Sequence, residues 1–262
     1  MKKINGKWAL ITGASSGIGS DLTRLFAKEG CPMILTARRK ERLETIKNQI
    51  KNEYNVEVET ISNDLSKKGG PEELYNSVKE LGHQVSILVN NAGVGLGGKF
   101  ADQDLEDQLS IIQLNTVSVT ELTKRFLKDM LEKNEGWILQ LGSTFSFHPG
   151  PNFAVYAATK AYILSLSESL NHELRDTGIK HTVLCPGATR TEFFEASKTP
   201  DNALLETIKM DSKIVAKIGF DALLEGKPYV VPGLHNKLIT QGQKFSPRAV
   251  TLFFLDFLFG KK

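Results

Sequence analysis

Thr12-Gly13-Ala14-Ser15-Ser16-Gly17-Ile18-Gly19 follows the strand-like run Trp8–Thr12 and opens a helical period near 17–29. A helix N-terminus offers free N–H groups and a partial positive charge, which suit phosphate. Glycine lets the backbone turn sharply and approach a ligand without a Cβ in the way. The hydroxyls of Ser15 and Ser16 add hydrogen-bonding groups. The spacing is Gly-x3-Gly-x-Gly, not the Gly-x-Gly-x2-Gly of the commonest dinucleotide fingerprint, and it lacks the Lys of a P-loop. Taken alone, the turn also fits an ordinary glycine-rich bend.

Working outward, strand-like runs recur at Met33–Ala37, Val56–Ser62, Ile87–Asn90, Trp137–Leu141, Lys180–Leu184 and Tyr229–Val231. Helical periods at 39–53, 72–81, 151–176 and 213–225 lie between them. A long helix is predicted where Leu105, Leu109, Ile112, Val119, Leu122, Phe126 and Met130 recur at helical spacing. Such alternation predicts an α/β fold of Rossmann type, a doubly wound parallel sheet, as a single domain over residues 1–262. Ligands in such sheets sit beyond the carboxyl ends of the strands.

The composition sets limits. Lys and Arg number 33 against 30 Asp and Glu, a surplus that gives no argument for nucleic acid. Cys31 and Cys185 lie far apart, so they read as small buried residues, with no metal expected. The stretch Met1–Trp8 lacks a signal-type apolar run, and nothing approaches the ~20 apolar residues of a spanning helix. A cytoplasmic protein is expected.

After the second strand the chain reads Thr36-Ala37-Arg38-Arg39, with no carboxylate until Glu41. An acidic residue there would bind a ribose 2′-hydroxyl, whereas Arg accommodates a 2′-phosphate. NADP (NADPH) is therefore favoured over NAD. The alternative is a pair of solvated arginines, although cations at a helix start oppose its dipole.

Ser143 follows the fifth strand, and Tyr156 and Lys160 stand four apart on the next helix, where they share a face. A phenol has a pKa near ~10, and a neighbouring cation favours its ionised form. Asn115 is an unusual interior helix residue, which points to a local distortion or a bound water. Each feature alone has a bland reading. The ordered set is Thr12–Gly19, Asp64-Leu65, Asn90-Asn91-Ala92-Gly93, Asn115, Ser143, Tyr156-x3-Lys160 and Pro186-Gly187. Together these resemble the short-chain dehydrogenase/reductase family from about residue 5 to 235. Ser20-Asp21 departs from the small apolar residue common nearby, without threatening the site.

The resemblance implies roles. Tyr156 would be the general acid/base, Lys160 would lower its pKa and hold the nicotinamide ribose, Ser143 would orient the reacting oxygen, and Asn115 would hold a relay water. Gly13, Ser15, Ser16, Gly17, Ile18 and Gly19 would cradle the diphosphate, with Arg38 and Arg39 at the 2′-phosphate. Asp64 and the Leu65 backbone would meet adenine, and Asn91, Ala92 and Gly93 would line the adenosine side. Pro186, Gly187 and Thr189 would meet the nicotinamide end, with Thr191 near the diphosphate.

The loop Thr144–Phe153 should wall the pocket, and its three Phe residues suggest an apolar or ring-containing carbonyl or alcohol substrate. His148 on that loop is expected to be exposed. Residues 192–212 form the expected substrate lid. Ala154, Ala158, Ala161, Ser165 and Ser169 make a small-residue stripe, which with the family's habit implies a homodimer or homotetramer. The apolar tail 240–262 is expected to be helical and to pack on a subunit, ahead of membrane contact. The expected function is NADP(H)-dependent carbonyl–alcohol interconversion. The alternative is a non-catalytic NADP-binding redox sensor, which would have little reason to keep Tyr156.

Overall fold

The computed structural model describes residues 4–197, 203–242, 250 and 252. The chain runs β1 (Trp8–Thr12), α1 (Gly17–Lys28), β2 (Met33–Ala37), α2 (Lys40–Tyr54), β3 (Val58–Ser62), α3 (Gly70–Glu80) and β4 (Val85–Asn90). It continues through α4 (Leu105–Ile112), α5 (Ser118–Lys133), β5 (Gly136–Leu141), α6 (Ala154–Glu173), β6 (Ile179–Leu184), β7 (Thr189–Arg190), α7 (Phe193–Ala196) and α8 (Ala203–Ile208). Then come β8 (Met210–Asp211), α9 (Ser212–Glu225), β9 (Tyr229–Val230) and α10 (Leu234–Gly242).

Seven strands form one parallel sheet in the order β3-β2-β1-β4-β5-β6-β9, the Rossmann-type arrangement expected. β1, β2, β4, β5 and β6 are apolar and mostly buried, as a sheet covered on both faces requires. Leu22 and Phe26 of α1, Leu43 and Ile46 of α2, and Val215 and Phe220 of α9 pack on one face. Leu74 and Val78 of α3, with Leu122, Phe126 and Met130 of α5, cover the other. The strand order turns back between β1 and β4, so a crevice opens at their carboxyl ends.

Most predicted elements are present, with ends displaced by up to three residues. β7 and β8 pair with each other outside the main sheet and were not anticipated, nor were α7, α8 and α10. Two-residue strands and helices of four to nine residues carry too few residues for a period to show. The tail 240–262 lies outside the described residues, except for 240–242, Val250 and Leu252. Among the described residues no helix is long and apolar enough to cross a membrane. Cys31 and Cys185 are free and buried, and burial pushes both thiols up to about 12.

The long helix is not continuous. Asp104 caps the start of α4 by accepting from the N–H groups of Glu106 and Asp107. Residues Gln113–Val117 then form a π-turn before α5. A π-turn inserts roughly one extra residue and shifts the helix phase. The buried face of α4 is therefore Gln108 and Ile111, while Leu105, Leu109 and Ile112 point outward. Val119, Leu122, Phe126 and Met130 of α5 turn inward as predicted.

His181 lies on β6 against the helices, 2% exposed. Burial lowers its pKa from 6.5 to about 4, and neither ring nitrogen has a hydrogen-bond partner among the described residues. A base whose folded pKa is depressed stabilises the fold above its unfolded pKa. That contribution is lost as pH falls toward the folded value. The urea midpoint should therefore drop between pH 6.5 and about 4. His181→Gln should flatten that slope, and equal slopes in both proteins would rule out His181 as its source.

Candidate active site

The glycine-rich turn joins β1 to α1 at the crevice. No side chain caps the first turn of α1, so its N–H groups face the opening. Gly17 has φ +53°, and a Cβ there would meet Thr191 Cγ2 at 2.9 Å. Gly19 is more constrained: its Cβ would fall 2.3 Å from the Gly13 carbonyl oxygen and 2.4 Å from Asn91 Nδ2. Asn91 is the brace behind the turn. Its Nδ2 donates to the carbonyls of Thr12 at 2.9 Å and Gly13 at 3.1 Å. Thr12 Oγ1 accepts from the N–H groups of Asn91 and Ala92 at 3.0 Å each.

A cleft of ≈380 Å³ runs from this turn to the end of α6. It is lined by the predicted residues of the turn, by Arg38, Arg39, Asp64 and Leu65 at one end, and by Ser143, Tyr156 and Lys160 at the other. Ala92, Gly93, Pro186, Gly187, Thr189 and Thr191 form its walls. Two predicted residues stand behind it. Gly19 is buried beneath the turn, and Asn115 lies 1% exposed in the π-turn. Asn115 Nδ2 donates to the Val94 carbonyl at 2.9 Å and to Thr159 Oγ1 at 3.1 Å, and its Oδ1 accepts from Val94 N–H at 3.1 Å. The amide thus ties the loop after β4 to α6, close behind Lys160.

The end of β5 anchors Lys160 and Ser143. Lys160 Nζ donates to the Leu141 carbonyl at 2.7 Å and lies 5.6 Å from the Tyr156 ring centre. Ser143 Oγ accepts from Phe145 N–H at 3.2 Å and hydrogen-bonds the Tyr156 hydroxyl. Both Tyr156 and Lys160 are buried. Burial raises the phenol to about 12 against the lowering bond from Ser143, and burial lowers the Lys160 ammonium to about 8. The expected depression of Tyr156 by Lys160 is therefore not what this structure has. Burial works against the charged form of each group, and no lowering of the phenol by Lys160 is resolved. A phenol in this setting holds its proton at neutral pH, which suits an acid.

The loop after Ser143 divides its aromatics. Phe145 and Phe153 line the cleft around Tyr156, with ring centres 5.9 Å and 6.1 Å from its ring. Phe147 instead packs on Tyr229. His148 is buried, contrary to expectation, because its ring packs on Phe145 and its Nδ1 bonds the Pro149 carbonyl. In the expected lid, the Phe193 ring lies tilted with its centre 5.3 Å from that of Tyr156, and Phe194 also lines the cleft. Residues 198–202 of that lid lie outside the described residues.

Sequence reading missed Asn236 on α10. Its Oδ1 would lie 2.2 Å from a Cβ at Gly187, and its Nδ2 donates to the Pro232 carbonyl. It supports the Pro186-Gly187 turn from behind, and no sequence signal marked it.

The chain matches the family model for short chain dehydrogenase across residues 7–202. It is a short-chain dehydrogenase. An oxidoreductase of Staphylococcus epidermidis is 31% identical over 215 residues, covering 82% of this chain and 92% of that protein. A Sphingobium yanoikuyae short-chain dehydrogenase solved with NADPH is 29% identical with a TM-score of 0.81, covering 93% of this chain and 94% of that one. A bulky-bulky ketone specific alcohol dehydrogenase of Comamonas testosteroni is 30% identical with a TM-score of 0.78, covering 92% and 94%. In this short-chain dehydrogenase the glycine turn, which leaves no room for added side chains, and the cleft it lines both fit a nicotinamide dinucleotide.

Proposed function

We propose that this short-chain dehydrogenase uses NADPH to reduce a bulky, ring-bearing carbonyl compound to the alcohol. The observation that carries the reading is a single cleft that holds Ser143, Tyr156 and Lys160 at one end and Arg38 and Arg39 at the other. When bound, the nicotinamide supplies the hydride to the carbonyl carbon. Ser143 and Tyr156 hold the carbonyl oxygen, and the phenol hydroxyl gives that oxygen its proton. Lys160, fixed to the Leu141 carbonyl, keeps a positive charge beside the phenolate that results. Asn115 would hold a relay water behind Lys160, while Pro186, Gly187 and Thr189 would receive the nicotinamide end. Asp64 would meet adenine.

Three features support the choice of partner. Arg38 is exposed and makes no ion pair among the described residues, so it is free to meet a 2′-phosphate. The Sphingobium relative was solved with NADPH. Phe145, Phe153, Phe193 and Phe194 give the substrate end an aromatic wall, and the Comamonas relative is named for bulky ketones. A sensor role is less well supported, because binding alone has no use for the Tyr156–Ser143 bond.

We also propose a homodimer or homotetramer built on α4 to α6. Ala154, Ala158, Ala161, Ser165 and Ser169 are exposed, as are Leu105, Leu109, Ile112 and Tyr162. The proposed setting is the cytoplasm, where free buried cysteines persist.

The test is steady-state kinetics on small aliphatic, bulky aliphatic and aryl ketones with NADPH and NADH. The expected result is kcat/KM higher by about tenfold or more for aryl over small ketones, and a similar preference for NADPH. Equal use of NADH would remove the cofactor assignment. A flat ketone series would remove the substrate class.

A further inference from the structure

Arg39 and Arg42 reach across the cleft to a partner that sequence reading did not foresee. Glu192 stands directly after Thr191, whose side chain lies close over Gly17. Its Oε2 lies 2.9 Å from Arg39 Nη1, and its Oε1 pairs with Arg42 Nη1. The other arm of the Arg39 guanidinium, Nη2, lies 3.3 Å from both Ser15 Oγ and Ser16 Oγ. One carboxylate therefore holds two guanidinium groups on the rim where a ribose 2′-phosphate would be read. Arg39, Ser15, Ser16 and Glu192 all line the same cleft.

Two considerations show which anion wins there. The pairs are about half exposed, with side-chain exposures of 43% and 46% for Arg39 and Glu192, so each contributes little and is readily exchanged. A phosphate monoester carries more charge and three acceptor oxygens, and the arginine fork fits it with two parallel bonds. A 2′-phosphate would thus take Arg39 from Glu192, though at the cost of the pairs it breaks. A ribose with a plain 2′-hydroxyl would leave them intact.

We propose that Glu192 is a specificity-determining residue: its carboxylate occupies the guanidinium sites of the 2′-phosphate pocket and competes with the cofactor for Arg39 and Arg42. The proposal rests on the assignment of Arg38 and Arg39 to a 2′-phosphate and deepens it. Preference for a phosphorylated ribose is then lower than three arginines alone would give. The segment Glu192–Ser197 is also fastened at its far end, where Gly97 N–H donates to the Ser197 carbonyl at 2.8 Å. Exchange at Arg39 therefore leaves the near end held by Arg42 alone, in a strap whose Phe193 leans on Tyr156.

The test is calorimetric titration of wild type and Glu192→Gln with adenosine 2′,5′-bisphosphate and with 5′-AMP. Both probes carry a 5′-phosphate, so their difference isolates the 2′-phosphate. Glu192→Gln should tighten the bisphosphate about fivefold more than it tightens 5′-AMP, the scale of two exposed ion pairs removed. An equal change for both probes, no change, or weaker bisphosphate binding each overturns the proposal. The wild type tests the underlying assignment separately. A wild type with no preference for the bisphosphate overturns the NADPH assignment, even if Glu192→Gln gains a preference. A clear wild-type preference that Glu192→Gln leaves untouched overturns only the role of Glu192.

Discussion

Changing Tyr156 to Phe is expected to lower kcat for ketone reduction by about 10³-fold, within the range for loss of a positioned general acid. Binding of NADPH should change by less than about twofold, because the hydroxyl serves the reacting oxygen rather than the cofactor's phosphates. The substitution is close to a single-atom change. The ring keeps its neighbours Phe145, Phe153 and Phe193, at 5.9, 6.1 and 5.3 Å. Only the hydroxyl and its bond to Ser143 are lost. One buried hydrogen bond is worth about 1 kcal/mol, so the fold should survive with a small shift in Tm. Stopped-flow or steady-state rates, with cofactor binding read by fluorescence, separate these outcomes. A variant that turns over at the wild-type rate would end the proposed chemistry.

Changing Gly19 to Ala should damage stability and cofactor binding together. Helix propensity favours Ala over Gly by about 0.5–1 kcal/mol, so a permissive site would be stabilised. At Gly19 the added carbon would sit 2.3 Å from the Gly13 carbonyl oxygen, a main-chain atom with little freedom to move. Overpacking of this kind costs about 1–3 kcal/mol or more. The clash therefore outweighs propensity, and Tm should fall by roughly 5 °C. The turn it displaces is the proposed phosphate cradle, so NADPH binding should weaken by about tenfold or more. Gly242, at the end of α10, is the control: its added Cβ would meet nothing within 4 Å among the described residues, so Gly242→Ala should hold or slightly raise Tm and leave NADPH binding unchanged. Equal behaviour of the two variants would show that the approach at Gly19 does not matter.

Much of this was legible in the chain because the information is local. The strand–turn–helix at Trp8–Gly19 and the Tyr156–Lys160 spacing each lie within one or two turns of backbone, where periodicity and glycine carry physical meaning. What escaped was made by distant contacts. Glu192 meets Arg39 and Arg42 across some 150 residues of sequence, as their separations of 153 and 150 show. Asn236 backs Gly187 from a helix too short and mixed for its period to stand out. His148 looked like a loop residue open to water, but Phe145 folds over it. The environment of Tyr156 is hidden for a related reason: sequence shows which charge is nearby, but not how much water has been removed, and here burial raises the phenol.

The single extra residue of Gln113–Val117 ties the exterior of the molecule to its interior. Deleting one residue there would merge α4 and α5 into a regular rod and rotate one against the other by about 100°. Leu105, Leu109 and Ile112 would swing from the outer surface toward the sheet. The same rotation would draw the Asn115 amide off the Val94 main chain that it clamps from both sides. Insertions and deletions in this turn therefore cannot remodel the outside of the helix pair without disturbing the chemistry within. Descendants of this chain that alter how they assemble should do so by exchanging side chains, with the length of that turn held fixed.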